Sequence, residues 1–99
     1  MVEINWTFQA LEDLSDIANF LAKNSERYAT RIVNLILEKV DLLATFPQLG
    51  RVVPESNIKS IRELIIKNYR VIYAIHDKKS INILAVRHSS KPLGSIPLD

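Results

Sequence analysis

Between Leu11 and Leu43 apolar residues recur every three or four positions, in two stretches separated only by Lys23-Asn24-Ser25. That spacing puts them on one face of a helix, and two helices joined by so short a link pack antiparallel. The first stretch carries Leu11, Leu14, Ile17/Ala18 and Leu21, with Thr7 as its cap. Glu12 and Asp13 lie towards its N-terminal end, where the helix dipole favours carboxylates. The second carries Ala29, Ile32/Val33, Ile36, Val40 and Leu43 and stops at Phe46-Pro47, because proline disfavours helical geometry in the residue before it. Ser25 can cap this second helix.

Period two replaces the helical period outside this hairpin. Val2, Ile4 and Trp6 alternate with Glu3 and Asn5, as in a short strand with one buried face. After a loop over 47–60, punctuated by Pro47, Gly50, Pro54 and Asn57, three β-rich segments follow at about 61–66, 69–76 and 81–88. Lys67-Asn68 reads as a two-residue hairpin turn with Asn68 at positive φ, and Asp77-Lys78-Lys79-Ser80 as a four-residue turn. Such short links imply an antiparallel meander. The expected class is α+β: an N-terminal strand and an antiparallel helical hairpin packed on a small antiparallel sheet that ends in the meander. Residues 1–99 read as one domain with an irregular tail over 89–99.

A hairpin can cover only one side of such a sheet. Val71, Tyr73 and Ile75 share one face of the middle meander strand, and Arg70, Ile72, Ala74 and His76 share the other. Ile72 and Ala74 are therefore expected near the surface beside Arg70, as an apolar strip suited to binding.

Composition removes several chemistries. There is no cysteine, hence no disulfide, thiol nucleophile or Cys-based zinc site. Two glycines cannot build a phosphate-cradling Gly-rich loop. The two histidines, His76 and His88, have no metal-ligand spacing, so neither a metal nor another cofactor is expected. The longest apolar run, Val71–Ile75, is far too short for a membrane span, and no secretory signal is visible. A cytoplasmic protein without membrane contact is expected.

The net charge of +2 conceals a division: residues 1–49 sum to −3 and residues 50–99 to +5. The basic half is a candidate surface for an anionic partner, nucleic acid or acidic protein. Its cations are Arg51 in the loop, Arg62 and Arg70 opening two strands, Arg87-His88 closing the last, and Lys91 beyond it. Meander topology makes Arg70 and Arg87-His88 neighbours and sends Arg62 to the far end. Cleavage of RNA through its 2′-hydroxyl needs a base, an acid and cations around the phosphorane. Glu55 or His88 could supply the first two, and Arg70 and Arg87 the last. The plain alternative for Glu55 is an ion pair with Arg51, four residues earlier.

The order of these elements resembles the RelE/ParE superfamily of toxins from bacterial type II toxin–antitoxin modules. The residues that carry the resemblance are Ala10-Leu-Glu-Asp-Leu-Ser-Asp-Ile17, Phe46-Pro-Gln-Leu-Gly-Arg-Val-Val-Pro-Glu55, Ile61-Arg-Glu-Leu-Ile65, Asn68-Tyr-Arg-Val-Ile-Tyr73 and Val86-Arg-His-Ser-Ser-Lys-Pro92. The resemblance implies a growth-arresting toxin, neutralised by a cognate antitoxin that covers its groove and supplies the contact with operator DNA. It also implies one of two targets. ParE-like members inhibit DNA gyrase without being nucleases. RelE-like members cut mRNA on the ribosome, some of them with a Glu, an Arg and a His that match Glu55, Arg70 and His88 here. The Arg62-Glu-Leu motif and the His88-x-x-Lys-Pro ending look more like ParE, although Lys91 stands where ParE-like chains often have arginine. The resemblance therefore points to a gyrase inhibitor, with a metal-independent endoribonuclease as the alternative. Arg51, Arg62, Arg70, Ile72, Ala74, Arg87 and Lys91 are the expected contacts for target or antitoxin.

Overall fold

The computed structural model describes residues 1–90. Strand β1 (Glu3–Trp6) leads into helices α1 (Phe8–Ala22) and α2 (Glu26–Asp41), and α2 ends in a 3₁₀ turn over Leu42–Ala44. Strands β2 (Arg51–Val52), β3 (Ile61–Ile66), β4 (Tyr69–Ile75) and β5 (Ser80–His88) follow. Both helix starts are capped where the sequence places them: the Thr7 hydroxyl accepts from the Ala10 amide at 3.2 Å, and Ser25 accepts from Tyr28 at 3.1 Å.

The five strands form one sheet in the order β1-β5-β4-β3-β2. The meander β3-β4-β5 is antiparallel as expected, but β1 pairs parallel with β5, Glu3 opposite Ser80 through Trp6 opposite Ile83. The sheet is thus mixed, not purely antiparallel. The helical hairpin and meander carry the chain back so that its first strand lies beside its last. The stretch expected to be loop alone also supplies β2, two residues that extend the sheet beyond β3. In the β3–β4 turn it is Lys67, not Asn68, that adopts positive φ, at 54°.

The hairpin covers one face of the sheet. Ala10 and Leu14 of α1 and Ile32, Ile36 and Val40 of α2 close over Val71, Tyr73, Ile81, Ile83 and Val86. Each Leu, Ile and Val among them contributes about 1.5–3 kcal/mol by leaving water. Leu11 is exposed, so the α1 stripe runs through Ala10, one residue off the expected line. Glu12 and Asp13 lie beyond the first turn of α1, and Asp13 serves the sheet instead of the helix dipole. Because β1 pairs only with the first half of β5, no strand among the described residues lies beside the second half on that edge. The Asp13 carboxylate accepts the Val86 amide there at 2.9 Å.

The opposite, outer face is also closed. Val53 packs with Ile61, Ile72, Ala74, Leu84 and Ala85 in a second small core. This corrects the expectation for Ile72 and Ala74, which are buried and do not form an exposed binding strip. Val53 lies on the segment after β2, and its amide donates to the Ile61 carbonyl, so the loop itself folds over this face. Large apolar side chains reach solvent elsewhere, among them Phe8, Leu11 and Phe20 on α1 and Phe46 and Leu49 after the 3₁₀ turn.

Candidate functional site

The outer face carries a four-residue charge network built by strand register. Glu63 on β3 stands opposite Arg51 on β2 and opposite Ile72 on β4. Arg70, two residues before Ile72, is therefore its diagonal neighbour, within reach of a long side chain. The Glu63 carboxylate accepts from Arg51 Nε and from Arg70 Nε, each at 2.6 Å. Its side chain is 0% exposed, and two charge-assisted hydrogen bonds are what keep such a buried carboxylate tolerable.

Arg70 completes its bonding with Glu55 from the loop. Its Nη1 and Nη2 donate to the two carboxylate oxygens of Glu55 at 3.0 Å each, a fork-to-fork pair. The two acids that grip Arg70 differ in setting: Glu63 is enclosed, whereas the Glu55 side chain is 48% exposed. The hydrogen bond from Arg70 holds the Glu55 carboxyl below its ordinary range. In turn Glu55 foremost, and then Glu63, make Arg70 harder to deprotonate. Glu55 thus pairs with Arg70, not with Arg51.

The loop that presents Arg51 and Glu55 is anchored by Tyr73 and Gly50. The buried Tyr73 hydroxyl donates to the Pro47 carbonyl at 2.8 Å and accepts the Gly50 amide at 2.9 Å. Arg62 Nη1 donates to the Gly50 carbonyl at 2.9 Å. A Cβ at position 50 would lie 2.5 Å from the Glu63 carbonyl oxygen, so this close approach of loop to β3 requires glycine. Arg62 is at the far end of the sheet from Arg70, as topology predicts, and its bond to Gly50 supports the loop.

Arg87 stands directly opposite Arg70, the expected neighbourhood, yet the two guanidinium groups diverge. Arg87 turns towards α1, where its Nε lies 3.9 Å from the Asp13 carboxylate. His88 pairs with Tyr69, whose ring it meets edge-on with centroids 5.6 Å apart. Tyr69 belongs to the helix-side core, so His88 is on the other side of the sheet from Glu55 and Arg70. Its Nδ1 accepts the Ser90 amide at 3.2 Å, and its ring lines a cleft of about 620 Å³ with Asp16, Phe20 and Tyr69. Glu55 and Arg70 are therefore brought together, and His88 is held apart from them. Lys91 lies outside the described residues.

Glu63 stands inside the Arg62-Glu-Leu motif, but the motif alone gives it no role at the site. The signal lay in the turn: if Ile66 pairs with Tyr69 across Lys67-Asn68, Glu63 falls diagonal to Arg70. A lone carboxylate in an otherwise apolar strand then needs a cation, and the register names it.

An antiparallel helical hairpin thus covers one side of a five-stranded sheet, and an arginine–carboxylate network lies on the other. A family model described as the ParE toxin of type II toxin–antitoxin system, parDE, matches residues 4–93, and the chain belongs to that family. It is 35% identical over 86 residues to the putative toxin Y4kP of Sinorhizobium fredii, covering 87% of this chain and 86% of that one. It is 28% identical over 92 residues to toxin RelE2 of Caulobacter vibrioides, covering 92% of this chain and 99% of that one. The fold matches a chain of the chromosomal ParDE system of P. aeruginosa with a TM-score of 0.72 at 24% identity, over 89% of this chain and 96% of the other. No helix among the described residues is long and apolar enough to cross a membrane.

Proposed function

We propose that this toxin arrests growth by ParE-like inhibition of DNA gyrase, acts in the cytoplasm, and is silenced by a cognate antitoxin through which alone it meets operator DNA. The observation that carries the reading is the separation of Glu55 and Arg70 from His88 by the sheet. An RNA-cleaving site needs a base, an acid and a cation around one phosphate, all within hydrogen-bond reach of it. Here the base candidate is ion-paired to the cation candidate, and that pairing lowers its basicity. A general base works best with a pKa near the operating pH, and Glu55 is moved the wrong way. The exposed Phe8 and Leu11, neighbours one turn apart on α1, give an antitoxin an apolar contact to cover.

Two assays on the purified protein test the reading together. Supercoiling by gyrase is expected to fall with added toxin, while mRNA in a translating extract stays intact. Ribosome-dependent cleavage that disappears in Arg70→Ala and His88→Ala, with supercoiling unaffected, would overturn it.

A further inference from the structure

We infer that the outward edge of Arg70 is a carboxylate receptor which the chain fills with its own Glu55, so that an acidic partner segment binds there by displacing that side chain. The argument rests on how unequally the two acids hold Arg70. Glu63 takes Nε from beneath with a fully enclosed carboxylate, and Arg51 braces Glu63 from the other side. A charge pair buried in this way does not open without leaving an unpaired ion in the interior. The guanidinium is thereby fixed in position, with Nη1 facing the loop and Nη2 shared between Glu63 and the loop.

Glu55 occupies that remaining edge through both oxygens at 3.0 Å, which demonstrates that a planar carboxylate fits it in the two-bond mode. Its side chain is half exposed, so water reaches Glu55 and competes for the bonds that the nearly enclosed Arg70 makes to it. Only this side chain has to swing away. The backbone around it stays tied, because the Ser56 and Asn57 amides both donate to the carbonyl of the enclosed Val53. Charge favours exchange over simple loss. Arg51, Arg70, Glu55 and Glu63 together are neutral, and removing Glu55 alone leaves the cluster at +1 with a nearly enclosed arginine short of two hydrogen bonds. An incoming carboxylate restores both the charge and the bonds. A carboxylate is preferred to a phosphate because the edge is already shaped around one, and the basic half of the chain attracts an acidic segment from a distance.

The receptor is independent of which target the toxin acts on. Its test uses the full chain and a short peptide containing two glutamates, with the ¹⁵N–¹H resonance of Arg70 Nε and the neighbouring amides followed by NMR. Glu55→Ala is expected to bind the peptide about three- to tenfold more tightly than the wild type, through loss of a half-exposed competing carboxylate. Glu55→Gln falls between them. The Arg70 and Val53–Asn57 signals move, while those of α1 do not. Adding Arg70→Lys to Glu55→Ala removes the gain. Should that double variant lose its fold, the peptide-induced shift of Arg70 Nε in Glu55→Ala itself decides the matter. Equal affinity of wild type and Glu55→Ala, or shifts confined to other arginines, overturns the proposal. Inorganic phosphate binding more tightly than the peptide overturns the assignment to a carboxylate.

Discussion

The two faces of the sheet are closed by different means. On the helix side, α1 and α2 lay a continuous apolar layer over β4 and β5, and the hydroxyl of the buried Tyr73 reaches out to Pro47 and Gly50. On the outer side no helix is present among the described residues, and a loop with one buried valine must suffice. The apolar core there is small, and beside it four charged residues complete the layer. Shape complementarity governs the first face and charge pairing the second. The first therefore tolerates loss of a methyl group better than it tolerates a polar atom, and the second depends on both members of each pair being present.

The comparison is broken most severely at Glu63. Glu63→Ala leaves Arg70 enclosed without its inner partner and is expected to cost about 3–5 kcal/mol, seen as a large fall in the urea midpoint. A cost below about 1 kcal/mol would show that the outer face does not depend on charge. Ile36→Ala, the matching insult on the helix side, creates a cavity under α2 and is expected to cost about 2–5 kcal/mol. Tyr73→Phe keeps the ring but leaves the Pro47 carbonyl and the Gly50 amide unpaired, at about 1–3 kcal/mol. Its amide exchange should quicken around Gly50 and Arg51 while α2 stays protected.

The smallest effect concerns Glu55. Its folded-state pKa is depressed, so its contribution is fully present above the unfolded carboxyl pKa and is lost as pH falls through the folded value. Screening at a half-exposed site limits this to about 1 kcal/mol or less. The stability gap between wild type and Glu55→Gln, measured by urea titration, should be constant near neutral pH and close in the acid range. A gap that widened on acidification would contradict the pairing.

The helix-side face was the legible one. Its stripe is local: Ala29, Ile32, Ile36, Val40 and Leu43 declare a helix by their own spacing, and Thr7 and Ser25 mark the starts. The meander was legible for the same reason, since its links are short. What escaped depends on residues far apart in the chain. Val2, Ile4 and Trp6 announce a strand but not that its neighbour is β5 or that the pairing is parallel. Nothing local to Ile72 and Ala74 reveals that Val53 will be folded against them. At the site, Glu55 and Arg70 were both singled out, but their partnership depends on Glu63 and on Gly50 letting the loop come close. His88 was placed at the right strand end, and the alternation of side chains then carried it to the other face.

The pairing of β1 with β5 also sets a schedule. The Thr7 hydroxyl donates to the Ile83 carbonyl 76 residues further on, and among the described residues β5 is the one strand beside β1. At about 5–20 residues per second of synthesis, β1 waits several seconds for its partner to be made, while helices form within microseconds. The hairpin can therefore assemble early on the nascent chain, but the sheet closes only once β5 has emerged. A growing chain interrupted anywhere before Ser80 lacks the strand that joins its start to its end. The five-stranded sheet therefore closes late in the life of the nascent chain, although Arg70 and its two acids lie on segments made before β5.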